Sequence, residues 1–375
     1  MWQTHHPQGQ HRVVVTKNLP GSVWLDILVQ ADCRVEVCLS DEVLSEEEIR
    51  GALRPGCQAA IGQLTEPWGE TLLAALRESG GRVYSNYAVG YNNVDVDAAT
   101  RLGLPVGNTP GVLTEATAEM AAALTLTCAR RLVEADRFTR AGLYRGWLPT
   151  LFLGRMLSGS TVGIVGAGRI GAAYARIMAE GFKTNIMYYD QRSNPDLEGY
   201  LAAYSAYLAG QGLPTLTCRR AEHLDDLLAA CDVVSLHTVL DATTRHLIDA
   251  RRLSRMKPEA ILVNTSRGPV IDEAALVAHC RENPGFTAGL DVFEHEPDLA
   301  PGLADLANVV IPPHIASATR WTREGMAVLA ASNVAAVLKG WPAWTGEGIA
   351  AFLGDDPPRA APSLVNAGAL GLAAA

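Results

Sequence analysis

Thr161-Val162-Gly163-Ile164-Val165 runs without a break into Gly166-Ala167-Gly168-Arg169-Ile170-Gly171. The first five residues are small or apolar, mostly β-branched, as in a strand buried on both faces. The last six read G-x-G-x-x-G and open a helix expected over Arg169–Glu180. Each glycine has its own task. Gly166 permits a tight turn, Gly168 lets the backbone approach a pyrophosphate, and Gly171 packs helix on strand. The helix start offers unpaired N–H groups and a positive dipole end to phosphates. Asp190, nineteen residues past Gly171, closes the next expected strand, Asn185–Tyr189. A carboxylate there accepts hydrogen bonds from a ribose 2′-hydroxyl and repels a 2′-phosphate. Strand, turn, helix and acid together predict a dinucleotide site that prefers NADH/NAD and binds NADPH more weakly. Arg192 opposes that preference, because a guanidinium can take a phosphate in a fork.

Outward from this motif the chain alternates short apolar runs with helical patterns. Downstream come Asp232–Leu236, Ala260–Asn264, Phe286–Leu290 and Val309–Ile311, completing an expected six-stranded dinucleotide-binding sheet. Upstream lie Val13–Thr16, Arg34–Leu39, Gln58–Ile61, Arg82–Ser85 and Pro105–Gly107, with amphipathic stretches such as Glu70–Glu78 between them. An Ala-rich segment, Ala116–Ala135, reads as one long helix joining the two series. A last helix, Thr322–Lys339, follows the second series and is expected to pack back on the first domain. The tail from Trp341, rich in Pro, Gly and Ala, is expected to be irregular. The fold class is therefore α/β, with two Rossmann-like or flavodoxin-like parallel-sheet domains. The cofactor domain, 119–314, is inserted into a discontinuous substrate domain of 1–118 and 315–375.

Composition narrows the function. The 375 residues carry 31 Lys and Arg against 40 Asp and Glu, a net charge of −9, with 48% hydrophobic residues. An acidic chain lacks the basic face that nucleic acid or an anionic membrane surface requires. No apolar run reaches the roughly 20 residues of a membrane span. The seven scattered cysteines form no C-x-x-C pair, so free thiols in a reducing intracellular compartment are expected, with no metal site.

Three elements follow consecutive strands at their C-terminal ends, where open α/β sheets place ligands. They are Asn264-Thr265-Ser266-Arg267-Gly268, then Asp291 through Glu296-Pro297, then Pro313-His314-Ile315-Ala316-Ser317. Reducing a 2-keto acid needs a cation for the carboxylate, a proton donor for the carbonyl oxygen, and a group that keeps the donor charged. Arg267, His314 and Glu296 supply those three types. An unperturbed histidine titrates near neutrality and so gives and retrieves a proton there. His295 is the competing acid. His237, ending the third strand, is expected to line the cofactor cleft.

With these residues in view, the chain resembles the D-isomer-specific 2-hydroxyacid dehydrogenases, most closely their plant-type, NADH-dependent, hydroxypyruvate-reducing branch. Ser85-Asn86-Tyr87-Ala88-Val89-Gly90-Tyr91-Asn92-Asn93-Val94-Asp95, Gly107–Glu119, Ile261–Ala275 and His314–Gly325 carry the likeness, as does the long connection over Pro195–Gly212. The resemblance implies Arg267, Glu296 and His314 as the catalytic set. It implies that backbone N–H groups around Val89 and Gly90, with Arg267, bind the substrate. It implies that Thr117, Gly166, Gly168, Arg169, Ile170, Gly171, Asp190, His237, Thr238, Thr244 and Thr265 line the cofactor cleft. Asp291 would contact the nicotinamide carboxamide or support the site. The implied reaction is NADH-dependent reduction of hydroxypyruvate to D-glycerate, and of glyoxylate to glycolate, as in photorespiration. The implied assembly is a homodimer embraced by an arm over 137–153 that includes Trp147. Two alternatives stand beside it. One is a related reductase of another 2-keto acid, such as a phosphoglycerate dehydrogenase; the other is an NADH-sensing, corepressor-like binding protein. The plant branch ends in a peroxisomal Ser-Lys-Leu-type signal, whereas this chain ends Leu370-Gly371-Leu372-Ala373-Ala374-Ala375. Import by that route is not expected, and cytosol and mitochondrion stay open.

Overall fold

The short apolar runs become strands of two separate sheets. In the computed structural model, which describes residues 1–346 and 348–372, the first sheet holds β1 (Trp2–His5), β2 (His11–Val15), β3 (Cys33–Cys38), β4 (Cys57–Gly62), β5 (Val83–Asn86) and β6 (Val106–Gly107). The second holds β7 (Thr161–Val165), β8 (Asn185–Tyr189), β9 (Cys218–Arg220), β10 (Val233–Leu236), β11 (Ile261–Asn264), β12 (Thr287–Leu290) and β13 (Val309–Val310). The chain divides into two compact units, Met1–Leu113 with Ser317–Ala375, and Thr114–Ala316. The second unit is thus inserted in the chain between the two parts of the first.

The first sheet has the order β1-β3-β2-β4-β5-β6. Its five parallel strands follow the flavodoxin-like order. The sixth, β1, pairs antiparallel with β3 and was not foreseen: Trp2–His5 is largely exposed and shows no apolar alternation. Val13, Val14 and Val15 are fully buried, because helices cover both faces of the central strand. One of those helices is Arg320–Lys339, which packs on the helix Val23–Gln30 and on β4 and β5 of the same unit. Thr319 caps its start through the Thr322 N–H, and Gly340, at φ 73°, ends it.

The second sheet has the order β13-β12-β11-β10-β7-β8-β9, every pair parallel. This is the Rossmann order with a seventh strand added at the edge. The expected six strands omitted β9, because Cys218-Arg219-Arg220 is a polar edge strand with two exposed residues. The long connection before it is a helix, Pro195–Gly210, capped by the Asn194 side chain.

The expected helix Ala116–Ala135 is two helices, Thr114–Ala129 and Leu132–Arg140. The break falls at Arg131, held left-handed at φ 52°. Composition favours helix on both sides and carries no mark of that turn. The tail after Trp341 is mostly irregular, as expected, yet it is docked. Asn366 Oδ1 accepts the Val106 N–H at 2.9 Å, and the Val365 N–H donates to the Val106 carbonyl at 2.8 Å. Ala373–Ala375, on which the reading of the chain's ending partly rests, lie outside the described residues.

Candidate active site

Arg267, Glu296 and His314 all belong to the second unit, beyond the C-terminal ends of β11, β12 and β13. Three loops meet there, and the sequence shapes each one. After β11 the buried side chain of Asn264 organises the turn. Its Oδ1 accepts the Ser266 N–H and hydroxyl at 3.0 and 2.8 Å, and its Nδ2 donates to the Arg267 carbonyl at 2.9 Å. Gly268 then passes against the next loop so closely that a Cβ would sit 1.9 Å from the carbonyl carbon and oxygen of Phe293. Burial pulls the half-buried Arg267 guanidinium below its usual value, and the charge of Glu296 opposes that pull. Arginine keeps its proton regardless.

After β12, Asp291 is fully buried and holds two backbone donors. Its Oδ1 and Oδ2 accept the N–H groups of Ile315 and Ala316, each at 2.8 Å. Burial holds its carboxyl above the ordinary range against the pull of those two donors. Asp291 thereby braces the turn that carries His314. Further along, Glu296 Oε1 accepts the Phe293 N–H at 3.0 Å, and Oε2 lies 2.8 Å from His314 Nδ1. Burial raises the Glu296 carboxyl, but the hydrogen bond and charge of His314, the Phe293 N–H and Arg267 outweigh it, so the group stays below its usual value. His295 is exposed. Its neighbour Glu294 is engaged by His246, whose Nε2 lies 2.6 Å from Oε1.

The nucleotide motif behaves as three distinct glycines. Gly166 has φ 94°, and a Cβ on it would meet the His237 carbonyl at 2.8 Å. Gly171 sits so close to the Gly166 carbonyl that a Cβ would lie 2.0 Å from it. Gly168 has nothing within 4 Å of its Cβ position, leaving the space that a pyrophosphate needs. Asp190 Oδ2 accepts the Ala167 N–H at 2.8 Å, which fixes the acid beside the motif. Arg169 begins the following helix and is exposed, with Ile170 half-buried behind it. Thr238 and Thr265 have buried hydroxyls with no hydrogen-bond partner among the described residues. Buried polar groups are rarely left so, and these donors fit a polar ligand in the cleft. The residues present therefore fit a dinucleotide.

The remaining expected cofactor residues take varied positions. His237 ends β10 with Nε2 2.9 Å from Ser235 Oγ and its ring against Tyr174; burial pushes its imidazole down to about 3, so it is neutral at pH 7. Thr117 is buried in the helix Thr114–Ala129. Thr244 is committed to a turn, donating to the Val239 carbonyl at 2.7 Å and accepting the Asp241 N–H at 2.8 Å. Arg220, which sequence reasoning missed, donates to the carbonyls of Asp190 and Gln191 at 2.7 and 3.0 Å. Asn264 and Gly268, which shape these loops, have no role assigned by the sequence alone. A buried Asn at a strand end and a Gly inside a polar loop are the only local signals they give.

In the first unit Val89 and Gly90 lie in the loop after β5. Their N–H groups and that of Tyr91 make no hydrogen bond among the described residues. Successive free backbone donors of this kind form an anion-binding concavity.

Residues 122–316 match the family model of the D-isomer specific 2-hydroxyacid dehydrogenase NAD binding domain. The peroxisomal glycerate dehydrogenase HPR of Arabidopsis thaliana is 56% identical over 374 residues, covering 99% of this chain and 97% of that protein. A glyoxylate reductase of Thermococcus litoralis is 46% identical over 265 residues, covering 69% of this chain and 74% of the relative. Among solved structures, one of a Thermus thermophilus protein superposes with a TM-score of 0.78 at 38% identity, over 94% of this chain and 99% of that one. With a fold, a nucleotide-binding unit and relatives that agree over almost its whole length, this chain belongs to the D-isomer specific 2-hydroxyacid dehydrogenases, NAD-dependent oxidoreductases.

Proposed function

We propose that the chain reduces hydroxypyruvate to D-glycerate with NADH, and glyoxylate to glycolate as a second substrate. The observation that carries this reading is the His314–Glu296 pair at 2.8 Å, with Arg267 electrostatically coupled to it. When bound, the nicotinamide supplies the hydride that reduces C2. The protein's residues supply the rest. Arg267 binds the keto acid and polarises its ketone, while the free N–H groups of Val89 and Gly90 take the carboxylate. His314 releases its Nε2 proton to the ketone oxygen as the hydroxyl forms, and Glu296 on Nδ1 offsets the positive charge the ring carries beforehand. The names of the relatives support the substrate pair.

Asp190 supports the preference for NADH, since its carboxylate is fixed beside the phosphate turn. Arg220, already donating to two carbonyls, is less available to a 2′-phosphate. Homodimerisation through the second unit is supported by the segment after Leu132–Arg140, where Leu143, Tyr144, Trp147, Leu148, Leu153 and Met156 are exposed, Trp147 by 80%. A monomer seldom leaves such a patch in water. Light scattering of the purified chain measures that state directly. Seven free cysteine thiols support a reducing compartment.

The deciding experiment is a steady-state panel of hydroxypyruvate, glyoxylate, pyruvate and phosphohydroxypyruvate, each with NADH and NADPH. Hydroxypyruvate with NADH should give the largest kcat/KM. A larger value for phosphohydroxypyruvate, or nucleotide binding without turnover of any keto acid, would overturn the assignment.

A further inference from the structure

Three consecutive carbonyls of the loop after β5 are each held by a donor from a different place. The Ala88 carbonyl accepts the Thr109 N–H at 2.9 Å. The Val89 carbonyl accepts Asn108 Nδ2 at 2.8 Å, and the Gly90 carbonyl accepts Asn86 Nδ2 at 3.0 Å. A trans peptide carries its C=O and N–H on opposite sides. Holding these carbonyls therefore turns the N–H groups of Val89, Gly90 and Tyr91 the other way, and those are the three that make no hydrogen bond among the described residues.

The two amides are themselves oriented. Asn86 Oδ1 accepts the Tyr84 hydroxyl at 2.9 Å and Asn93 Nδ2 at 3.3 Å, while its Nδ2 donates to Asn93 Oδ1 at 3.1 Å as well as to the Gly90 carbonyl. Asn93 also donates to the Gln63 and Glu66 carbonyls, each at 3.1 Å, tying the arrangement to the end of β4. Asn108 Oδ1 accepts the Ser363 hydroxyl at 2.6 Å, and its own carbonyl accepts Asn333 Nδ2 at 3.0 Å. Both asparagines are buried, Asn86 completely. Burying an amide is unfavourable unless its hydrogen bonds are made, so the site keeps two such groups for the direction they impose on one loop.

We propose that Asn86 and Asn108 are positioning residues that pin the Gly90 and Val89 carbonyls, so that the N–H groups of Val89, Gly90 and Tyr91 form a preorganised cradle for the substrate carboxylate. Tyr91 thereby joins as a third backbone donor. The proposal rests on the reading that this loop binds the carboxylate.

The test uses the full chain. Asn86→Leu and Asn108→Leu keep side-chain size and remove the donor; Asn86→Ser and Asn108→Ser are smaller and polar and keep the test open if a Leu variant does not fold. In each, KM for hydroxypyruvate and the inhibition constant of oxalate should rise together by at least about tenfold, with KM for NADH unchanged within about twofold. A lowered Tm with unchanged KM and unchanged oxalate inhibition would reduce both residues to structural supports and overturn the proposal. Separately, oxalate is added to the ¹⁵N-labelled wild-type chain with NAD, and the Val89, Gly90 and Tyr91 amide resonances should shift. Oxalate that binds without moving them overturns the loop reading and the proposal with it. Shifted amides together with unaffected variants overturn the proposal alone.

Discussion

His314 Nδ1 lies 2.8 Å from Glu296 Oε2, and the histidine is held in the left-handed backbone region at φ 53°. A bulky residue at positive φ is strained and persists only where its surroundings fix it. Asp291 does so by taking the next two N–H groups, of Ile315 and Ala316. With Nδ1 engaged, Nε2 is the nitrogen left to carry a proton to substrate in the proposed reaction.

Glu296→Gln keeps the shape of that pair and removes its charge. Glu296 stays below its usual value because the hydrogen bond and charge of His314 outweigh burial. In the variant that charge no longer faces the imidazole ring at the reacting centre. At neutral pH kcat/KM should drop about 100-fold. An unchanged kcat/KM in the variant would remove Glu296 from the proton path.

His314→Ala and Arg267→Ala should each lower kcat/KM by about 10²–10⁴-fold, the span of a lost general acid or a lost oriented charge. NADH affinity, read by fluorescence titration, should stay within about threefold. Arg267→Lys should recover only part of the loss, because an ammonium cannot reproduce the fork. Full turnover in His314→Ala would assign the proton elsewhere.

Gly268→Ala introduces a methyl 1.9 Å from the Phe293 carbonyl. The loops carrying Arg267 and Glu296 must then separate. A displacement of about 1 Å in a reacting constellation costs about 100-fold in rate. The expected result is that loss with NADH binding retained, and wild-type kinetics would show that the loops adjust freely.

Asp190→Ser removes the carboxylate fixed beside the glycine motif. The ratio of kcat/KM with NADH to that with NADPH should fall at least tenfold, equivalent to about 1.4 kcal/mol. An unchanged ratio would place cofactor choice in other side chains.

His237 makes folding sensitive to acid. Burial pushes its pKa from 6.5 down to about 3, so between those values the unfolded chain binds a proton that the folded one refuses. This contribution to stability is whole above pH 6.5 and declines as pH falls towards 3, by at most about 1.4 kcal/mol per pH unit. His237→Gln should flatten the fall of unfolding free energy in that window, measured by urea titration at several pH values.

The nucleotide half was legible because its signals are local. A buried strand, three glycines within six residues and an acid at the next strand end each have a short-range physical cause. The side chains that meet beyond those strands were legible too, because Arg267, Glu296 and His314 follow consecutive strands. Hidden from sequence were the polar edge strand β9, the exposed strand β1 and the left-handed break at Arg131, since none of them shows in apolar periodicity.

The sequence by itself determined two parallel-sheet units, a dinucleotide motif and the chemical types that follow consecutive strands, through periodicity and backbone freedom that act over a few residues. The tertiary structure alone decided that Asp291 braces the His314 turn, that Gly268 lets two loops touch, and that Asn86 and Asn108 aim one stretch of backbone. Those relationships join residues from different strand ends. They depend on which strands lie side by side, and no single position in the chain carries that information.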